Sequence, residues 1–352
     1  MRITRLDAPG YERVERAEDP ETGLVAFISV HSTTLGPALG GMRLWPYRSE
    51  DEALDDVLRL SRGMTYKSAL AQTGLGGGKS VVIADRDQKT PALFEAMGRF
   101  IEQFGGVYVT AEDVNVTVDD LRAVRRSTAH VCGLTTAEGG GGDPGPYTAY
   151  GCFLGIRESL RMATGSGLEG RTVAIQGTGS VGRELGRRLA GEGARLVVAD
   201  LNEANVERVV EELGAVAVDP EEIYDVDCAA FAPCALGGVL NDDTIPRLRC
   251  AVVAGAANNQ LLDEERHSEA LRARGILYAP DYVINAGGIV NVACELVAGG
   301  YDEDVALERI ERIPVALREI FAAAEARGLT PQAAAQHLAE KALARGRPEA
   351  ST

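Results

Sequence analysis

Two lysines stand in unusual company in this sequence. Lys67 closes the run Gly63-Met64-Thr65-Tyr66-Lys67, late in an amphipathic helical pattern, and Lys79 follows Gly76-Gly77-Gly78 where a strand begins. An amine held among apolar neighbours can pair with a carboxylate, or act as a base once it has shed its proton. Most lysines are simply solvated surface residues. Three consecutive glycines argue the other way, because they let the backbone at Lys79 approach a ligand closely. Glycines also mark plain turns, so residue type and spacing leave the two readings level.

A second constellation is Gly177-Thr178-Gly179-Ser180-Val181-Gly182, which fits GxGxxG. Alone, the pattern is a weak signal, since glycines also serve turns and helix packing. Here it directly follows the apolar run TVAIQ at 172–176 and opens a helical stretch from about Val181 to Gly191. Free amide groups and the positive end of a helix dipole would therefore face a pyrophosphate. Asp200 ends the next strand, RLVVAD at 195–200, roughly 20 residues on, where a carboxylate binds a ribose 2′-hydroxyl and repels a 2′-phosphate. The bland alternative, a solvated strand-end acid, leaves that alignment of strand, glycines and spacing without a purpose. NAD is the expected cofactor, in preference to NADP.

The elements that must position these residues are legible in outline. LVAFISV (24–30), KSVVIA (79–84) and VYVT (107–110) are short β-rich runs. Between the first two lies SEDEALDDVLRLSRGMTYKSALA, a helix opened by Ser49 with Glu52 at capping-box spacing, whose Leu54, Val57, Leu58 and Ser61 recur at helical period. The glycine- and proline-rich stretch at 139–146 has the composition of a flexible connection and sets the domain boundary. Beyond it strand, helix and strand make a βαβ unit, which AVVAGAAN (251–258) and GILYAP (275–280) extend as a parallel sheet. Gln332 to Ala344 is an alanine-rich helix.

Composition bounds the function. The chain has 352 residues, 45% of them hydrophobic, enough for two domains and a cleft between them. Its formal net charge of −16 repels nucleic acid and anionic membrane surfaces and leaves a small molecule as the expected partner. No apolar run is long enough to span a bilayer and no leader pattern opens the chain, so a cytoplasmic location is expected. The six cysteines (Cys132, Cys152, Cys228, Cys234, Cys250 and Cys294) are scattered, without a metal-like grouping among them or with the four histidines. No metal site is expected.

The motifs GGMR (40–43), GMTYK (63–67), GGGK (76–79), AEDV (111–114), GAANNQL (255–261) and PDYVINAGGIVN (280–291) together resemble the Glu/Leu/Phe/Val dehydrogenase family over nearly the whole chain. The resemblance implies two α/β domains flanking a cleft. The first, residues 1–140, would bind substrate and build a homo-oligomer, with a C-terminal helix at 328–352 packing back on it. The second, 145–327, would be a Rossmann NAD-binding domain. The resemblance also assigns roles. Lys67 pairs with the substrate α-carboxylate, Lys79 is the general base that activates water, and Asp113 carries protons to and from the amino group. Gly40, Gly41 and Met64 line the same pocket; Asn258 contacts nicotinamide ribose and substrate, and Thr148 orients the nicotinamide. The implied reaction is NAD-dependent oxidative deamination of an amino acid: hydride leaves Cα, water adds to the resulting iminium, and the carbinolamine collapses to a 2-oxo acid and ammonia. Lys79 must then be able to shed its proton. Burial and the neighbouring Lys67 charge favour this, and a nearby Asp113 opposes it.

Substrate choice follows from departures within the motifs. Glutamate-specific relatives carry a lysine where this chain has Leu39, and a serine where it has Val292. Leu39, Ile289 and Val292 would thus form an apolar pocket that discriminates neighbours weakly, by roughly 1–3 kcal/mol per methylene. Leucine, valine and isoleucine are the favoured substrates. Asn115 follows Asp113-Val114 as in members acting on aromatic amino acids, and Cys132 stands where the leucine type has threonine, so phenylalanine or tryptophan remains an alternative. A rival of another class is a noncatalytic NAD-binding sensor or scaffold. Loss of either lysine or of Asp113 would favour it, and all three are present.

Overall fold

The computed structural model describes residues 1–297 and 299–346, which fall into two compact units. The first comprises Met1–Asp143, Val292–Glu303 and the chain from Ala339; the second comprises Pro144–Asn291 and Asp304–Leu338.

In the first unit β1 (Arg2–Leu6), β2 (Arg13–Asp19), β3 (Leu24–Ser32), β4 (Ala38–Trp45), β5 (Gly76–Ile83) and β6 (Tyr108–Glu112) form one sheet in the order β1-β2-β3-β5-β4-β6. Pairing is antiparallel from β1 through β5, whereas β4 runs parallel to both of its neighbours. Helices α1 (Glu50–Leu70), α2 (Pro91–Glu102) and α3 (Val118–Arg125) cover the two faces. On one, Phe27 and Val81 pack against Ala53 and Val57 of α1. On the other, Ile28, Met42 and Val82 join a core with Phe94 of α2 and Leu121 of α3. A sheet covered on both sides explains why β5 is buried from Gly76 to Val82 rather than at alternate residues. The Ser49 hydroxyl accepts the Glu52 N–H as the sequence suggests, but the Glu52 carboxylate reaches one residue further back, to the Arg48 N–H.

The second unit is a parallel sheet in the order β12-β11-β10-β7-β8-β9, built from β7 (Thr172–Gln176), β8 (Arg195–Ala199), β9 (Val216–Ala217), β10 (Ala230–Pro233), β11 (Val252–Val253) and β12 (Leu277–Tyr278). Its helices are α4 (Gly145–Thr164), α5 (Ser180–Gly191), α6 (Glu203–Leu213), α7 (Glu264–Ala273), α8 (Asp281–Ile284), α9 (Gly287–Cys294), α10 (Glu303–Ile310), α11 (Ile313–Arg327) and α12 (Pro331–Arg345), with α9, α10 and α12 beginning or ending in the first unit. The βαβ unit lies where the sequence puts it. Strand β10 escapes a sequence reading because four residues ending in proline carry too little pattern.

Two expectations are modified. The stretch at 139–146 is no loose connection: Gly140 and Gly141 are buried, and α4 already begins at Gly145. The returning segments also differ from a single C-terminal helix. Val292–Glu303 belongs to the first unit, while α12 joins it only from Ala339, which packs with Leu35 and Ala69. Just before α12, the Ser268 hydroxyl donates to the Thr330 hydroxyl, within the second unit.

Candidate active site

In the first unit β4, flanked by β5 and β6, brings the motif residues into register: Leu39 lies between Gly77 and Val109, and Gly41 beside Ala111. Lys79 is 5% exposed, and its Nζ is 2.8 Å from Oδ2 of Asp113, the residue after β6. The same oxygen accepts Arg43 Nε at 3.1 Å, and Arg43 Nη1 reaches Asp56 of α1 at 2.9 Å. Tyr47 donates its hydroxyl to Asp56 at 2.7 Å. Burial pushes the Asp113 carboxyl up, but the Lys79 ammonium and the Arg43 guanidinium outweigh it and hold the group down at about 2. Asp113 is therefore a carboxylate at neutral pH, an acceptor between two cations. Arg43 and Asp56 were not singled out from sequence, although Arg43 sits inside the GGMR motif; its place on a strand between two others was the available signal.

Two of the glycines let one chain segment lie close against another. A Cβ on Gly77 would meet the Thr65 backbone nitrogen at 2.1 Å, and one on Gly41 would meet the Glu112 carbonyl oxygen at 2.3 Å and Asp113 Cβ at 2.9 Å. They permit close packing of chain on chain. Helix α1 consequently lies directly on β5 and on its neighbour β3, where Ser61 Oγ is 2.8 Å from Ser29 Oγ and Thr65 Oγ1 is 2.9 Å from His31 Nδ1. Alternation along β5 sends the Gly77 and Lys79 positions to this helix-covered face. Met64 and Lys67, both partly buried, ride on that helix, and Lys79 contacts Asp113 directly. Leu39 is buried, 2% exposed, as is Gly40 beside it.

Two of the departures from the leucine-type pattern gain a physical account. Asn115 has φ +62°, in the left-handed region that glycine and asparagine share most easily. Its side chain donates to the Leu44 carbonyl and accepts from Arg86 Nε. Asparagine or glycine at this position answers a backbone demand, so the residue says little about the substrate. Cys132 is buried beside Glu295, and burial pushes its thiol up, so it stays protonated. Val292 is buried in the same unit as Cys132 and Leu39.

In the second unit the glycine motif turns sharply between β7 and α5. Gly177 has φ +96°, and a Cβ on Gly182 would meet the Gly177 carbonyl oxygen at 1.9 Å. Gly179 is the N-cap of α5 and offers no side-chain cap, so the first-turn amides, with Ser180 and Val181 at their head, keep their donors for another partner. Asp200 Oδ2 accepts the Thr178 N–H at 2.7 Å and the Thr178 hydroxyl at 3.2 Å, while Oδ1 accepts the Asn202 N–H at 2.9 Å. These bonds fix the carboxylate at the carboxyl end of β8 and leave acceptor capacity on Oδ1. Thr148, in the first turn of α4, donates its hydroxyl to the Pro144 carbonyl, and its Oγ1 lies 2.6 Å from where a Gly288 Cβ would stand, so a side chain there would displace that hydroxyl. Exposed Asn258 accepts from Asn285 Nδ2 at 2.8 Å, and the loop that carries it is held by Gln260, whose amide N–H donates to Asp281 and whose side chain donates to the Gly255 and Ala257 carbonyls. Ile289 is buried in α9. Sequence reading assigned no role to Asn285 or Gln260, which position Asn258 without being chemical groups of note themselves.

Among the described residues no group of His, Cys, Asp and Glu could hold a metal ion, and no helix is long and apolar enough to cross a membrane.

Residues 12–130 match the family described as Glu/Leu/Phe/Val dehydrogenase, dimerisation domain, and residues 198–347 match Glutamate/Leucine/Phenylalanine/Valine dehydrogenase. The chain is 50% identical over 344 residues to a leucine dehydrogenase of Thermoactinomyces intermedius, covering 97% of this chain and 93% of that one. It is 50% identical over 340 residues to a leucine dehydrogenase of Geobacillus stearothermophilus, with 96% and 92% covered. The crystal structure of an L-tryptophan dehydrogenase from Nostoc punctiforme superposes with a TM-score of 0.83 at 44% identity, covering 96% of each chain.

Proposed function

The chain belongs to the Glu/Leu/Phe/Val dehydrogenase family, and from that premise we propose that it oxidatively deaminates an apolar L-amino acid, with leucine, valine and isoleucine foremost. The observation that carries this reading is the Lys79–Asp113 contact braced by Arg43, in a chain half identical to leucine dehydrogenases. A buried lysine set against a carboxylate is a pair through which protons can be passed to and from a reacting amine and water.

The residues divide the work. Lys67 pairs with the substrate α-carboxylate. Asp113, ionised, accepts a proton from the substrate ammonium, so that the nitrogen lone pair can assist departure of the Cα hydride. Lys79, having released its proton to solvent, takes one from the water that adds to the iminium carbon; Asp113 then returns its proton to the carbinolamine nitrogen and takes up the hydroxyl proton as ammonia leaves and the 2-oxo acid remains. Gly40, Gly41 and Met64 line the space around the reacting carbon, and Leu39, Ile289 and Val292 receive the apolar side chain. No cation stands at Leu39 or Val292 for a second carboxylate, which disfavours glutamate.

The dinucleotide site fits NAD: a glycine-bent loop, uncapped helix amides and an anchored carboxylate at Asp200 suit a pyrophosphate and an unphosphorylated ribose. When bound, NAD supplies the hydride acceptor. Gly177, Thr178, Gly179, Ser180, Val181 and Gly182 would hold its phosphates, Asp200 its adenosine ribose, and Thr148 and Asn258 its nicotinamide half. A homo-oligomer assembled through the first unit agrees with the dimerisation-domain description of the matching family. Six free cysteines suit a reducing cytoplasm.

The test is absorbance at 340 nm with NAD and a panel of leucine, valine, isoleucine, phenylalanine, tryptophan and glutamate. NADH formation strongest with the branched-chain members is expected. Strongest turnover with an aromatic member would shift the substrate, and none with any member would leave an NAD-binding sensor.

A further inference from the structure

Glu295, the residue just past α9, has a role that no motif suggested. Its two carboxylate oxygens each accept the Gly133 N–H at 3.1 Å, and Oε1 also accepts the Gly141 N–H at 2.8 Å. Burial and the neighbouring Glu295 carboxylate together push the Cys132 thiol up. Two nearby stretches, the segment that follows α3 and the glycine run that precedes α4, are therefore joined by one side chain at the end of α9, 162 and 154 residues further on. All of these contacts lie within the first unit.

The turn is itself closed. The Glu295 N–H donates to the Val292 carbonyl at 3.1 Å, so whatever fixes Glu295 also fixes Val292. The partners are rigid as well. A Cβ on Gly140 would strike the Leu134 carbonyl oxygen at 2.1 Å, and Cys132 is tied to the sheet by its N–H to the Thr110 carbonyl. Hydrogen bonds from backbone amides to a carboxylate are charge-assisted and directional.

We propose that Glu295 is a positioning residue for substrate selectivity: its carboxylate clasps the Cys132–Gly133 and Gly140–Gly141 segments and thereby sets where Val292 stands in the side-chain pocket. The inference rests on the assignment of Val292 to that pocket. Glu295 touches no reacting atom in this scheme. Its removal loosens one wall of the pocket and leaves the Lys79–Asp113 pair and the dinucleotide loop as they are.

The experiment uses the full-length enzyme with Glu295→Gln and Glu295→Ala. Glutamine keeps the volume and one accepting oxygen but turns an NH2 toward an amide donor; alanine removes the clasp. Losing a charge-assisted bond corresponds to about a tenfold change. The expected result is a leucine KM raised about tenfold in Glu295→Ala and less in Glu295→Gln, with kcat changed by less than about threefold. The leucine-to-valine ratio of kcat/KM should shift, and NADH affinity by fluorescence titration should stay within about twofold of the parent. Unaltered KM and selectivity in both variants overturns the proposal, and so does an equal fall in kcat for every substrate with KM unchanged. Should the alanine variant fail to fold, Glu295→Gln decides alone. If the parent itself turns over no amino acid, the deaminase reading falls and takes the clasp with it; turnover by the parent with indifferent variants removes the clasp only.

Discussion

At the scale of single residues, the proposed chemistry rests on one lysine and one carboxylate held 2.8 Å apart. Lys79→Ala should abolish NADH formation with leucine while NADH binding, followed by fluorescence, stays near the parent value; near-normal turnover would remove Lys79 from the mechanism. Asp113 makes a separate prediction about stability. Its folded value of about 2 lies below the unfolded value of about 3.9, so its contribution is fully present above about pH 4 and is lost as pH falls toward 2. Acid unfolding followed by circular dichroism should show that loss in the parent and lack it in Asp113→Asn. That variant should also be less stable at pH 7, by about 3 kcal/mol, because Lys79 and Arg43 are left facing each other without a counter-charge.

At the scale of elements, the site depends on how closely α1 approaches β5. Gly77 and Gly63 test this as a pair. Nothing lies within 4 Å of a Cβ built on Gly63, in the interior of α1, whereas at Gly77 the Thr65 backbone blocks one. Gly63→Ala should raise stability by roughly 0.5–1 kcal/mol through helix propensity. Gly77→Ala should lower it by roughly 1–3 kcal/mol and depress kcat/KM further than the melting shift explains, because the helix carrying Met64 and Lys67 must lift off the strand carrying Lys79. Thermal melting and steady-state kinetics on both variants check this. Equal activity in the two would show that the helix–strand spacing does not govern the site. The glycines were legible in the sequence as a signal, but their meaning was not: a run of three reads equally as a turn, a ligand approach or a packing contact until the opposing backbone is known.

At the scale of the molecule, each unit has its own core, with a cluster of the first built around Phe94, Phe100 and Tyr108 and one of the second around Phe231, Leu271 and Tyr278. A ligand that binds only the second unit stabilises it by mass action, about 2.7 kcal/mol at a hundredfold excess over Kd. Calorimetry with NADH should therefore move the transition of the dinucleotide unit upward, and Asp200→Ala should shrink that shift at equal NADH. A shift unchanged by the substitution would place the cofactor elsewhere.

Much about this protein was determined by the sequence alone. The βαβ unit with its glycine loop and terminal Asp200 is a local arrangement, specified within about 30 residues, and the apolar Leu39 and Val292 are identities that need no coordinates to read. The tertiary structure decided what depends on chain segments meeting. Arg43 became a brace for Asp113, Asn115 a backbone requirement rather than a mark of specificity, and the glycine-rich stretch at 139–146 a clasped strip rather than a free linker, because Glu295, over 150 residues further on, supplies its acceptor. Local pattern encodes propensity and periodicity. Which amide donors a distant carboxylate will meet is settled only when burial leaves those donors nowhere else to bond.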